Sequence, residues 1–403
     1  VKLDVSCIRH MSKDDFRVLT AVEMGMKNHD LVPVELITSI AQLRSGGINR
    51  IITTLHIYKL IAHDRSTYDG YRLTFAGYDV LALHVLFLRG HISAVGNKIG
   101  CGKESDIYIA QNSEGSSVVL KMHRLGRTCF RAVRQKRDYL KGRSKPNWLY
   151  LSRLSALKEF AFMKALYDKG YPTPTPIDHN RHIVCMSIVP GCPMYQLRSG
   201  SIDDPEEVFL ECIDLIKRLA NHGLIHCDFN EFNIMIHENP ENSRNEVTLI
   251  DFPQMISVRH RNAKEMFERD VNCVVKFFTM KMKWEPPEEL IPRFFVGSDT
   301  NRIDDDVRAS GFTEEGYELG EEFLEQGMND LEIGEVEGSD PESESEDKEG
   351  TILNDEDARK SIEKRAVRSA FEKNKIHSRK TGGSRNSQKK KFKGKVLRKG
   401  KDF

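Results

Sequence analysis

The chain has 403 residues, enough for two or three domains with an ample core, and its 61 Lys and Arg against 60 Asp and Glu leave a net charge of +1. Its longest apolar run, Val80 to Leu88, is broken by His84 and is far too short to span a bilayer. Eight cysteines are scattered without a Cys-x-x-Cys pair or a histidine cluster, which argues against a disulfide framework or a zinc site. Free thiols and the lack of a readable secretory signal predict a soluble intracellular protein with no membrane partner.

"MSKDDFRVLTAVEMGM" (residues 11–26) predicts a first helix, capped by Ser12 with acids in its first turn. "VPVELITSIAQL" and "GGINRIITTLHIYKL" predict two more, and "IAHDRSTYDGYRLT" a strand, an Asp-Gly turn and a second strand. Three helices and a hairpin resemble a winged-helix domain. The third helix, expected over 48–60, would bury Ile48, Ile51, Ile52 and Leu55. Asn49, Arg50, Thr53 and Lys59 are then free to follow phosphates or read a groove, although any solvated helix face looks similar.

From residue 91 to 283 strand-like and helical segments alternate. In "KIGCGKESDIYIA" (98–110), Gly100 and Gly102 sit between two strands, where backbone N–H groups can approach phosphates, with Lys103, Glu104 and Ser105 completing the loop. The spacing excludes a Walker A loop and resembles the kinase kind, with Ser105 in place of the third glycine. "SSVVLKMH" puts Lys121 at the end of a β-branched strand, where a lysine pairs ATP phosphates if a carboxylate holds it. Between Lys121 and Phe160 the acids are Asp138, deep in a basic stretch, and Glu159. Glu159 lies in a helix expected to start near Ser152 and stop at Gly170, with Leu154, Leu157, Ala161 and Ala165 as its apolar stripe. The intervening residues 123–148 are strongly basic and carry Phe130, Tyr139 and Trp148, a pattern suited to nucleic acid, although a solvated helix face would look similar. Within them Thr128 and Ser144 are candidate autophosphorylation sites. "HIVCMSIVPGCPM" is read as the adenine hinge, with Met186 against the base and Ile188 offering backbone bonds.

"LIHCDFNEFNIMI" (224–236) sets Asp228 and Asn233 five positions apart, the spacing of the kinase catalytic loop, with His226 in the histidine place. The aspartate can accept a hydroxyl proton or orient a nucleophile, and the asparagine oxygen helps hold Mg²⁺. Eighteen residues on, Asp251 ends the strand "EVTLIDF" in the place of the kinase D-F-G aspartate, which is the main Mg²⁺ ligand there. Departures from ordinary kinases are specific: Cys227 replaces an arginine, Asn230 stands where a lysine is common, and Pro253 replaces a glycine. No A-P-E segment follows, so peptide-docking helices are not expected.

"GKESDIY", "HCDFNEFN" and "IDFPQM", joined to a winged helix, resemble the RIO family of atypical kinases, in particular its second, winged-helix subfamily of eukaryotic type. The fold class implied is α+β, a winged helix-turn-helix over 1–91 followed by a compact, truncated bilobal kinase-like domain. That domain is expected over 92–283, with its small lobe at 92–186 and large lobe at 187–283. A charged, largely disordered tail over 284–403 completes the chain. The resemblance further implies an atypical serine/threonine kinase and ATPase, using ATP with Mg²⁺ or Mn²⁺, in late maturation of the small (40S) ribosomal subunit. Its partners would be the pre-40S particle, rRNA and assembly factors. Aminoglycoside-type phosphotransferases share the compact loop, but neither a winged helix nor a basic tail helps bind a sugar; a scaffold without catalysis would not keep competent residues at every position.

The tail is split in charge: residues 314–357 hold nineteen Asp or Glu and one Lys, and residues 359–401 hold eighteen Lys or Arg and two Glu. Two opposite blocks predict two partners. "LEQGMNDLEI" spaces Leu324, Met328, Leu331 and Ile333 as a nuclear-export receptor's groove would require, predicting a mainly cytoplasmic protein that shuttles through the nucleus. Ser343 and Ser345 lie in an acidic context that suits an acid-directed kinase.

Overall fold

The computed structural model describes residue 3 and residues 5–43, 45–125, 148–241, 244–296 and 302–304. The expectations for the basic insertion over 126–147, with Phe130, Tyr139, Thr128 and Ser144, and for the tail beyond 304, with its export-type motif and Ser343 and Ser345, fall outside these residues. Two compact units divide the chain, one containing Val1–Leu81 and the other spanning Ala82–Glu332. No described helix is long and apolar enough to cross a membrane.

In the first unit, α1 (Lys13–Gly25) begins with a full capping box, in which Ser12 Oγ accepts from Asp15 N and the Asp15 carboxylate accepts from Ser12 N. α2 (Val34–Ala41) and α3 (Ser45–Ile57) follow, then the hairpin β1 (Ile61–Asp64) and β2 (Gly70–Leu73). Val32 bridges to Tyr71 through both backbone hydrogen bonds, adding a short third strand. Phe16, Leu19 and Val22 of α1 meet Ile37 of α2 and Ile48, Ile52 and Leu55 of α3 in the core. α3 starts three residues before the expected 48 and ends at Ile57, because Lys59 turns left-handed at φ 58°. Asn49, Arg50, Thr53 and Lys59 are exposed, and Ile51 is only half-buried. α4 (Phe75–Leu88) absorbs the apolar run around His84 and carries the chain into the second unit. At its start Gly77 has no room for a Cβ against the Leu60 carbonyl, so only glycine lets this helix close on the hairpin.

The second unit opens with a five-stranded antiparallel sheet in the order β3-β4-β5-β7-β6. Its strands are β3 (Ala94–Cys101), β4 (Ser105–Gln111), β5 (Ser117–His123), β6 (Pro176–Asn180) and β7 (Ile183–Ser187). α5 (Trp148–Asp168) lies between β5 and β6 in the chain. It starts four residues before Ser152, which is inside the helix: its buried Oγ donates to the Trp148 carbonyl at 2.8 Å and accepts from Leu125 N. The buried face is also turned from the expected stripe. Leu151, Leu154, Ala156, Glu159, Phe162, Met163 and Leu166 are buried, whereas Leu157, Ala161 and Ala165 are half-exposed. Gly170, at φ 71°, ends the helix as expected.

The large lobe holds α6 (Pro205–Asn221) and α7 (Ala263–Phe277) around short strands. β8 (Cys192–Pro193), β10 (Ile234–Glu238) and β11 (Asn245–Leu249) form one sheet, and β9 (Leu224–Ile225) pairs with β12 (Ile256–Ser257). Gly191, at φ 85°, lets β8 press against the Ile236 carbonyl, where a Cβ would collide. The expected lobe boundary at 283 cuts through packed structure. Trp284 packs at a tilt against Phe209 at 5.3 Å, Phe294 and Phe295 sit 5.6 and 6.1 Å from Phe267, and Ile303 is fully buried. Apolar side chains are frequent from 284 to 296, and the lobe uses them as core rather than tail.

Candidate active site

The site is built where β5, α5 and the segment after β11 converge. Lys121 Nζ donates to Glu159 Oε1 at 2.6 Å and to Asp251 Oδ1 at 2.8 Å. Burial works against the ammonium charge, but Asp251 and Glu159 overcome it and raise the Lys121 pKa. Asp251 answers in the opposite direction: despite burial, Lys121 lowers its pKa, so it is a carboxylate. Behind them His123 Nε2 comes within 2.8 Å of Glu159 Oε2.

The loop carrying Asp228 connects β9 to β10, and this aspartate is cradled by amides. Asp228 Oδ1 accepts from Asn230 Nδ2 at 2.8 Å, and Oδ2 accepts from Asn233 Nδ2 at 3.0 Å and Gln254 Nε2 at 3.1 Å. Asn233 Nδ2 also donates to the Asp228 carbonyl at 2.9 Å. Burial and then the charge of Asp251 raise the Asp228 pKa. Two neighbouring carboxylates are therefore pushed apart, one held ionised by lysine and the other inclined toward a proton. Burial lowers His226 to about 4, so its ring is neutral, and it packs edge-on to Phe229 and Phe252. Burial likewise pushes the Cys227 thiol up to about 12, which makes it a packing residue and not a nucleophile.

Two strained residues flank the site. Cys227 and Asp251 adopt left-handed φ values of 65° and 72°. From α7, Asp270 accepts the N–H groups of Cys227 at 2.8 Å and Phe229 at 3.1 Å, clamping the loop on both sides of Asp228. Neither Asp270 nor Gln254 was singled out from the sequence. Asp270 lies 43 residues from Cys227 on an ordinary amphipathic helix. Gln254 carried one faint signal, its place directly after the unusual Pro253.

The other expected site residues sit on the same sheet. Gly100 pairs with Ile107, and Ile107 with Lys121, so the β3–β4 turn is tied to the lysine strand by register. Gly102 N donates to Ser105 O at 2.8 Å, which commits that N–H to the turn itself rather than to a phosphate. Lys103 is exposed, and Glu104 and Ser105 are half-buried. Met186 is buried on β7 opposite Val119, two residues along β5 from Lys121, and Ile188 is exposed just after the strand.

This lysine–glutamate–aspartate triad beside an Asp–Asn loop coincides with matches to known proteins. Residues 106–289 match the RIO domain family model and residues 8–89 match the model described as Rio2, N-terminal. The serine/threonine-protein kinase rio2 of Schizosaccharomyces pombe is 44% identical over 313 residues, covering 77% of this chain and 89% of that one. The chain belongs to the Rio2 family. The Rio2 relative of Dictyostelium discoideum is 53% identical over 313 residues, 78% of this chain, and the chain spans only 58% of its length. Among solved structures, the Rio2 kinase of Chaetomium thermophilum, in an ADP/Mg²⁺–phosphoaspartate complex, is 46% identical with a TM-score of 0.69. That match covers 83% of this chain and all of the Chaetomium chain. The fold is thus the Rio2 one, a winged helix followed by a RIO kinase domain.

The donor set suits a hard cation. Asn233 directs its NH₂ at Asp228, which leaves its carbonyl oxygen as a ligand atom, and Asp251 supplies a carboxylate. Among the described residues no group of three or more His, Cys, Asp or Glu could hold a metal without further ligands. A cation that arrives with phosphate oxygens fits such a two-ligand site.

Proposed function

We propose that this Rio2-family kinase binds Mg²⁺–ATP at the Lys121 cluster and uses its turnover to drive a late step in small-subunit maturation. The contact that carries the reading is Lys121 gripped by Glu159 and Asp251 at hydrogen-bond distance. A lysine so held is a fixed cation for nucleotide phosphates. Asn233 and Asp251 would hold Mg²⁺, which, when bound, neutralises charge developing on the transferred phosphoryl group. Mn²⁺, with the same oxygen preference, fits the same ligands. The β3–β4 turn covers the phosphates, with Gly100, Gly102, Lys103, Glu104 and Ser105 forming it, and the hinge at Met186 and Ile188 receives the base.

Asp228 orients the attacking water or hydroxyl, including the water that cleaves an aspartyl-phosphate, and accepts its proton, a task its raised pKa suits. Asn230 supplies no cation to the transferring phosphoryl group, so transfer to foreign protein is slow and hydrolysis dominates. Asp251 is an ionised carboxylate next to Lys121 and can itself be the acceptor. Its oxygen then bonds to the γ-phosphorus while the bond to the β–γ bridging oxygen breaks, ADP leaves, and water later cleaves the aspartyl-phosphate. The phosphoaspartate in the Chaetomium Rio2 complex supports this route.

The exposed Asn49, Arg50, Thr53 and Lys59 of α3, with the basic stretches at 123–148 and 359–401, support contact with rRNA of the pre-40S particle and its assembly factors. A mainly cytoplasmic protein passing through the nucleus by an export receptor completes the reading. The test is co-sedimentation of the chain with small-subunit precursors, together with ATP turnover in the same fractions. Co-sedimentation lost on ATP hydrolysis is the expected result; turnover without any association with precursors would overturn the ribosomal part.

A further inference from the structure

Gln254 lies three residues beyond Asp251 and reaches back to the catalytic loop, where its Nε2 donates to Asp228 Oδ2 at 3.1 Å. Of the three amides on the Asp228 carboxylate, Asn230 and Asn233 belong to the same loop and move with it. Gln254 comes from a different segment, the one that also presents Asp251 to Lys121. That segment is firmly seated. Phe252 and Met255 are each 1% exposed, Pro253 is buried, and Met255 N donates to Phe252 O across the turn. A side chain projecting from such a turn is aimed before any ligand arrives.

A carboxylate offers about four lone-pair directions, two on each oxygen. Among the described residues, Asp228 Oδ2 already accepts two amides, from Asn233 and Gln254, whereas Oδ1 accepts one, from Asn230. We propose that Gln254 is a positioning residue: by filling Oδ2 from the Asp251 segment, it fixes the Asp228 carboxylate so that Oδ1 receives the proton of the attacking water or hydroxyl. This rests on the reading of the site as one that turns over ATP through Asp228. It gives the two carboxylates a mechanical link, because any movement of the Asp251 turn is passed through Gln254 to the orientation of Asp228. The donor is neutral, so it can hold the carboxylate in place without adding a cation that would weaken it as a base.

The experiment measures kcat and KM for Mg²⁺–ATP in the full chain with two substitutions. Gln254→Met keeps the length and volume but has no donor, and should lower kcat by about tenfold while KM stays within about twofold. Gln254→Glu keeps the shape but sets a second carboxylate against Asp228, and should lower kcat further, toward about 100-fold. A role in packing alone gives the opposite ranking, because Glu is the closer isostere. Wild-type kcat in Gln254→Met would overturn the assignment. So would a Glu variant milder than Met, or a raised KM at unchanged kcat. Asp228→Ala, measured alongside, separates the two levels: an active Asp228→Ala sinks the reading of the site, whereas an inactive one with a fully active Gln254→Met sinks only the role of Gln254.

Discussion

Asp270 offers a sharp test of how the catalytic loop is held. It is 2% exposed and accepts the backbone N–H groups of Cys227 and Phe229. Burial raises its pKa to about 7 in spite of those two bonds, against 3.8 for an unperturbed carboxyl. Between these values the folded protein keeps a proton that the unfolded chain has released. The stability this contributes is fully present below about pH 4 and is lost as pH rises through about 7. Each pH unit in the window is worth ~1.4 kcal/mol, so the whole change is about 4 kcal/mol. Asp270→Asn never ionises and therefore lacks this dependence. It retains one carbonyl oxygen for the two N–H groups, and an orphaned donor costs about 1–3 kcal/mol at every pH. The difference in stability between variant and wild type should thus move by about 3 kcal/mol in the variant's favour from about pH 4.5 to 8. Both tryptophans, Trp148 and Trp284, lie in the second unit, so their fluorescence during urea unfolding reports that unit alone. A difference that stays constant with pH would refute the argument that Asp270 is strained by burial. Turnover of the variant should fall even where its stability rises, because Cys227 at φ 65° then has a weaker anchor.

Three further outcomes follow from the proposed roles. Asp228→Ala should abolish turnover with ATP affinity within a few-fold, whereas Asp251→Ala should also weaken Mg²⁺–ATP binding; nucleotide titrations showing equal losses would mean the roles are misassigned. Affinity for rRNA should fall about 10³–10⁵-fold between about 50 and 200 mM salt if six to ten phosphates are met, and truncation after residue 358 should flatten that slope. An unchanged slope would remove the basic block from the interface. Replacing Leu331 and Ile333 by Ala should shift the protein toward the nucleus in fluorescence images, and an unaltered cytoplasmic distribution would discard the export motif.

What the sequence made legible follows from how local each signal is. Lys121 and Glu159 could be paired on paper because one competing acid, Asp138, sat in a basic stretch. Asp228, Asn233 and Asp251 are legible through spacing, since a loop between two short strands fixes the geometry of both ends. Ser12 and Gly170 mark helix ends by backbone chemistry that does not depend on tertiary contacts. α5 starts four residues before Ser152, whose hydroxyl bonds the carbonyl four residues back and so lies within the first turns instead of capping them. The phase of that helix was misjudged because its buried face must also present the charged Glu159, which apolar periodicity cannot register. The lobe continues past 283 through Trp284, Phe294, Phe295 and Ile303, whose spacing follows no helix or strand period. Asp270 and Gln254 act on the loop across long sequence separations, and only the fold brings them to it.

Phosphoryl transfer at this site is proposed to pass through the Asp251 carboxylate, which Lys121 holds ionised at 2.8 Å. Incubation of the full chain with γ-labelled ATP and Mg²⁺, followed by an acid quench and hydroxylamine, measures it most directly. The expected result is label that hydroxylamine releases, that maps to Asp251, and that accompanies hydrolysis faster than transfer to added protein. Label that resists hydroxylamine and maps only to serine or threonine would contradict it.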